Sequence, residues 1–184
     1  MDINKIVQFR LYKSNLRPHT FDNRYWFNTI STNNFSQNLN HINKSIQYHH
    51  EDLEWDDIPT TEVVYERLEF GSQCHLWMYE EKCLGWHWTN PNCVTIDWKS
   101  HYQDIKENEL YIGGALVSRK DKPNRGNSAM IFYRQGFEYS FDFTNTDTMY
   151  LYSDDWNRAS AQLCYRNGFK QFNFLKEKDG TREY

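Results

Sequence analysis

No apolar run in this sequence approaches the roughly 20 residues that a bilayer-spanning helix needs. The first residues, Met1-Asp2-Ile3-Asn4-Lys5, lack the apolar stretch of a secretory signal. An excess of positive charge is missing too. The 21 Lys and Arg stand against 25 Asp and Glu, for a net charge of -4. A general nucleic-acid binder needs surplus cations to neutralise phosphates, so that class is disfavoured. The four cysteines, Cys74, Cys83, Cys93 and Cys164, include no pair at the two-residue spacing of common zinc sites. A disulfide framework is not expected in a 184-residue chain without a secretory signal. These absences lead to the expectation of a cytoplasmic protein with buried thiols, no metal and no membrane partner.

Aromatic residues are what the chain has in quantity. They make up 17% of it, with 7 Trp, 13 Tyr and 12 Phe. The mean hydropathy of -0.91 alone reads as mildly polar. Large aromatic side chains nevertheless supply buried area, and disordered chains are depleted in them. The length suits one domain with a real core.

Alternation of Val7, Phe9 and Leu11 with Gln8 and Arg10 predicts a first strand over Lys5–Lys13. The Asn-rich tract from Asn15 to His50 is weakly patterned, with short helical turns expected around Phe21–Ile30 and Leu39–Tyr48. Pro59-Thr60-Thr61-Glu62 starts a short helix running through Leu68, with a hydroxyl to cap its first turn. Gln73–Tyr79 and Lys82–Thr89 flank Glu80-Glu81 as a hairpin. Gly85 within it marks a bulge or a close backbone approach. Cys93–Trp98 reads as a further extended piece, and Glu109–Ser118 as the central strand. A polar loop, 119–126, then opens into a helix with Ala129, Phe132, Tyr133, Gly136 and Phe137 on one face. Thr148–Tyr152 is a strand. Asp154 or Asp155 caps a helix over Asn157–Asn167, closed by Gly168, and Phe169–Leu175 is the last strand. This alternation implies an α/β fold with parallel crossover elements near the middle of its sheet.

The segment from Asn157 to Phe169, with Asn157, Ser160, Leu163, Gly168 and Phe169 at its fixed positions, resembles the closing helix of the GNAT superfamily of N-acetyltransferases. The Gly85 hairpin resembles that family's second and third strands. Glu109 to Gly126 resembles its fourth strand running into a pyrophosphate loop. The resemblance covers about Gln73 to Leu175. It implies a GNAT-like acyl-CoA N-acyltransferase fold, a mixed central sheet flanked by helices. Residues 1–184 would form a single GNAT-like domain, with 1–70 a variable acceptor-side region and 71–184 the acyl-CoA-binding core.

What the resemblance implies about chemistry is transfer of an acetyl or other acyl group from acyl-CoA to an amine by direct attack, with no metal. CoA phosphates need cations and free backbone donors, which a helix N-terminus supplies. Arg119, Lys120, Arg125, Gly126, Asn127, Ser128 and Ala129 are the residues matched to that task, with Met130 a departure from the small residue the family has there. A backbone N–H near Leu116 or Val117 would stabilise the oxyanion. Asn157 and Ser160 match positions along the CoA arm, and Asn157 reads equally well as an ordinary polar residue at a helix start. The family's tyrosine acid is replaced by Cys164, with Tyr165 beside it. Cys164 reads either as the acid or as a packing residue. Glu109, His87, Asp97 and Asp154 are all open as the general base, with Glu109 carried as the candidate. Trp77, Trp86, Trp88 and Trp98 read first as core and second as an acceptor pocket.

Two other readings stay open: a GNAT-fold binding module altered in catalysis, and an accessory protein that meets nucleic acid or protein through Arg119–Arg125. The acceptor is unknown, and a homodimer is left open.

Overall fold

The computed structural model describes residues 5–52, 59–94, 103–118, 127–178 and 181–183. In chain order the elements are β1 (Lys5–Tyr12), β2 (Tyr25–Ile30), α1 (Leu39–Asp52), α2 (Thr61–Glu69), β3 (Gln73–Tyr79) and β4 (Lys82–Asn90). Two-residue β5 (Cys93–Val94) and β6 (Gln103–Asp104) follow, then β7 (Glu109–Val117), α3 (Asn127–Thr144) and β8 (Thr148–Asp154). The chain closes with α4 (Arg158–Asn167), β9 (Lys170–Lys178) and β10 (Thr181–Glu183).

Eight strands form one sheet in the order β10-β9-β1-β8-β7-β4-β3-β2, and β5 pairs with β6 apart from it. Every neighbouring pair in the large sheet is antiparallel except β7 and β8, which run parallel at its centre. Parallel neighbours need a crossover, and α3 provides it. The expected α/β order is therefore observed.

Period-two alternation divides the core between the faces of the sheet. On one face Val7, Phe9, Leu11, Leu110, Ile112, Met149 and Leu151 pack with Phe137 and Phe141 of α3 and Cys164 of α4. On the other, Cys74, Leu76, Met78, Trp86, Trp88 and Leu116 pack under Ile42 and Tyr48 of α1 and Val64 and Leu68 of α2. Trp77, Trp86 and Trp88 are fully buried, so these indoles are core rather than pocket lining. Trp98 lies outside the described residues.

The local signals mostly resolve as expected. Thr60 caps α2, its hydroxyl accepting the Val63 N–H at 3.4 Å. The hairpin joins β3 to β4, and its register shifts opposite Leu84, beside Gly85. A side chain on Gly85 would overlap the Leu116 carbonyl of β7, so both meanings of that glycine hold, bulge and close approach. Two expectations are corrected. Tyr25–Ile30 is not helical but a strand, β2, at the edge of the sheet against β3. The α4 cap is Asn157 itself rather than Asp154 or Asp155, with Asn157 Oδ1 accepting the Ser160 N–H at 3.1 Å.

Candidate active site

β7 and β8 pair only from Glu109 opposite Thr148 to Ile112 opposite Leu151. Beyond that point β7 continues to Val117 beside β4 alone, and β8 continues to Asp154 beside β1 alone. Two strands that part in mid-sheet leave a V between them. At the parting, Gly114 and Ala115 of β7 stand opposite the single residue His87 of β4, a bulge in which Gly114 takes φ +57°. Gly114 and Ala115 are exposed although they lie on a central strand. Leu116 and Val117, expected as oxyanion donors, follow directly. Their side chains are buried on opposite faces, Leu116 among the α1 and α2 contacts and Val117 beside Trp77. Arg67 of α2 lies behind the bulge, 4% exposed, its guanidinium 4.4 Å over the Trp88 ring.

On the sheet face away from α3 and α4, Tyr111 and Tyr152 stand near the parting, with Tyr150 behind them in the paired stretch. Tyr111 lies over β7 so that its hydroxyl fills the space where a Gly113 side chain would stand. Its ring meets Tyr152 edge-on, with centroids 5.7 Å apart. Tyr152 is the first β8 residue past the last β7 pair, and Gln8 of β1 donates its side-chain N–H to the Tyr152 phenol oxygen. Tyr150 donates to Glu109 Oε1 at 2.9 Å. Burial, then the adjacent Glu109, pushes the Tyr150 phenol up to about 12, and burial raises Tyr152 as well. Sequence reasoning missed Tyr111 and Tyr152. The signal was the alternation in Thr148–Asp154, which sets Tyr150 and Tyr152 opposite the core-facing Met149 and Leu151.

The other expected site residues scatter. Cys164 is sealed inside the core: it packs among Val7, Phe9, Leu11 and Phe169, and burial lifts its thiol to about 12. From that position it meets no solvent and cannot hand a proton to a ligand in the V, so packing is its role. Tyr165 is half exposed, donates to Gln171 Oε1 at 2.9 Å and packs edge-on against Phe9, away from the opening. Glu109 begins β7 at the closed end, four residues or about 13 Å along the strand from Gly113. It also accepts the Lys106 N–H at 3.0 Å. That distance removes it from the parting. His87 is fully buried, takes the Trp77 indole N–H on Nδ1 and meets Ser140 Oγ at 2.7 Å through Nε2. Burial depresses it well below the usual histidine range, and it offers no base to the V. Asp154 ends β8 at the open end.

Asn157 and Ser160 sit at the start of α4, three to six residues past the end of β8, so they belong to the open end. Asn127, Ser128 and Ala129 form the first turn of α3 as expected. Met130 and Arg134, just beyond, bond to Asn167 at the far end of α4, at 3.1 Å each. A ten-residue helix is about 15 Å long, so the first turn of α3 is not gathered with Asn157 and Ser160. Arg119, Lys120, Arg125, Gly126 and Asp97 lie outside the described residues.

No protein-family model and no curated protein sequence matches the chain. Solved structures do. A tandem GNAT protein from the clavulanic acid biosynthesis pathway aligns with 96% of this chain and 53% of its own, at a TM-score of 0.57 and 12% identity. A GCN5-related N-acetyltransferase from Sphaerobacter thermophilus aligns with 95% of this chain and 50% of its own, at 0.55 and 12%. Another from Kribbella flavida aligns with 96% and 59%, at 0.53 and 9%. The chain thus spans about half to three-fifths of the length of these neighbours. Its fold is that of the GNAT acetyltransferases, as the Asn157–Phe169 segment implied. Among the described residues no helix is long and apolar enough to cross a membrane.

Proposed function

We propose that this chain is an N-acyltransferase that moves an acetyl or other acyl group from acyl-CoA to an amine by direct attack while both are bound. The observation that carries the reading is the V between β7 and β8, with the exposed Gly114-Ala115 bulge at its parting. An extended pantetheine arm fits such a gap as a missing strand would, its amides pairing with the strand edges left open. The thioester carbonyl then lies against the bulge, where main-chain N–H groups near Leu116 and Val117 stabilise the developing oxyanion. Asn157, with Oδ1 spent on its cap, contributes its amide nitrogen and the N-terminal donors of α4. Arg119, Lys120, Arg125, Gly126 and the first turn of α3 remain the proposed phosphate contacts. Residues 1–70, which hold α1 and α2, form the acceptor side, and 71–184 the CoA core. A cytoplasmic setting goes with this reading.

Catalysis of this kind rests on holding the two reactants together. A binding module without turnover is the second reading, favoured by the sealing of Cys164. A thermal shift with acetyl-CoA and desulfo-CoA tests binding. At about 100 times its Kd a ligand adds roughly 2.7 kcal/mol of stability. For a chain of this size that raises Tm by about 5–10 °C. No rise with either ligand would sink both readings. A rise without thiol release across a panel of primary amines would leave the binding module.

A further inference from the structure

We infer that Arg67 is a positioning residue for the transfer: its guanidinium, laid on the Trp88 indole, is the support that keeps the Gly114-Ala115 bulge facing the gap between β7 and β8. The inference rests on the acyl-transfer reading above, and it adds a residue of α2 that reaches the bulge from behind.

The placement begins at the end of α2. Arg67 lies in the last turn of that helix, and with Val64 and Leu68 it forms the buried face. Val64 and Leu68 pack there with Trp88 and Leu116. The Arg67 carbonyl accepts the Ser72 N–H at 3.2 Å, and Ser72 Oγ accepts from Asn90 Nδ2 at 3.1 Å. Asn90 ends β4, so the main chain of Arg67 is tied to the strand beside β7. The side chain is 4% exposed, with its guanidinium carbon 4.4 Å from the centre of the Trp88 ring. Trp88 is in register with Gly113, which sets this stack directly next to the bulge. A side chain on Gly114 would meet Arg67 Nη1 and the Trp88 ring, each at 3.3 Å. Gly114 is exposed, yet the room behind it is filled.

A bulge in this place needs such a support. On the β8 side the ladder has ended, and on the β4 side Gly114 and Ala115 stand against one residue. Neither neighbour fixes the direction of their N–H groups. Gly114 takes φ +57°, and a glycine leaves that conformation easily because no side chain restricts it. Packing from α2 is what holds it. Oxyanion stabilisation depends on donors aimed in advance, at about 2.7–3.1 Å, to where charge develops. A small turn of the bulge would spoil that aim without closing the gap to CoA. A guanidinium suits the task because it is flat and stacks on an aromatic face, which the compact ammonium of a lysine does not reproduce. Arg67 touches no reacting atom. Its effect passes through the main chain of the bulge.

The test follows kcat and KM with an amine that the wild-type chain accepts, beside the thermal shift with acetyl-CoA. Arg67→Ala is expected to lower kcat by about 100-fold, the scale for a displacement of about 1 Å at a reacting centre, with KM for acetyl-CoA within about threefold. Arg67→Lys should recover part of the loss and stand about tenfold below wild type. The thermal shift with acetyl-CoA should persist in both. Gly114→Ala should lower kcat by about 100-fold as well. Both changes act on one bulge, so the double variant should lose little more than either alone, where independent effects would multiply to about 10,000-fold. Should Arg67→Ala fail to fold, Arg67→Lys combined with Gly114→Ala carries the same comparison. An unchanged kcat, a loss confined to KM, or losses that multiply would overturn the assignment while leaving the acyl-transfer reading intact. A wild-type chain that binds acetyl-CoA but releases no thiol with any amine overturns both.

Discussion

Two ring pairs of similar appearance sit on neighbouring strands of this sheet and have opposite consequences. His75 on β3 faces His87 on β4 with centroids 4.7 Å apart, and Tyr111 on β7 meets Tyr152 on β8 at 5.7 Å. Between the two histidines the β3–β4 ladder is continuous, and residues of α3 close over them. The hydrogen bonds there form a directed chain. Tyr139 donates to Thr29 Oγ1, which donates to His75 Nδ1; His75 Nε2 donates to Thr89 Oγ1, which donates to Gln73 Oε1. The Trp77 indole can only donate, so His87 Nδ1 accepts and Nε2 carries the hydrogen toward Ser140. Both rings are thereby held in one neutral tautomer. Around the tyrosines the ladder ends. What separates the two pairs is whether the strands beneath them stay joined.

Acid gives the largest expected break in that comparison. Burial lowers His75 to about 3 and takes His87 well below the histidine range. Both are neutral when folded and take up protons when unfolded below about pH 6.5. The unfolded state then binds more protons, so stability is full above that pH and falls as pH drops toward 3. Each histidine contributes a slope of about 1.4 kcal/mol per pH unit, so the pair removes roughly 5 kcal/mol between about pH 6.5 and 4.5. Urea unfolding of His87→Asn across that range should show the slope reduced by about 1.4 kcal/mol per unit relative to the parent. An unchanged slope would mean that the pair is not sealed.

A middle-sized effect sharpens the other half. Asn157→Ala removes the α4 cap and should cost about 1 kcal/mol in urea unfolding. If its amide also meets the CoA arm, the acetyl-CoA shift in Tm will shrink beyond what the lost stability explains. The smallest effect on stability probes the V most directly. Ala115→Leu adds bulk to an exposed position and should change unfolding free energy by no more than about 0.5 kcal/mol. It should nonetheless abolish the thermal shift with acetyl-CoA. Retained binding would place the CoA arm elsewhere.

Local structure is readable in this sequence because its signals are local. Thr60 before an apolar periodicity, Glu80-Glu81 between two β-prone runs, and Gly168 after α4 each act within a few residues. β2 escapes that logic because Tyr25–Ile30 lies at an edge, where its half-buried pattern shows no clean alternation. The site is less legible for a different reason. Where β7 and β8 part depends on pairing between residues 39 positions apart, and no motif records it. The same long-range geometry puts Glu109 at the closed end and Cys164 in the core. It also makes neighbours of Tyr111 and Tyr152, although 41 positions separate them in the chain.

Gly85 lies one strand away from the opening, yet its lone hydrogen sets how near the hairpin can press upon Leu116. The V therefore has an adjustable wall whose stop is on the far side of β7. A methyl group at position 85 would push that strand toward β8 and narrow a gap it never touches. The width of the opening is thus set in part by a residue that lies outside it.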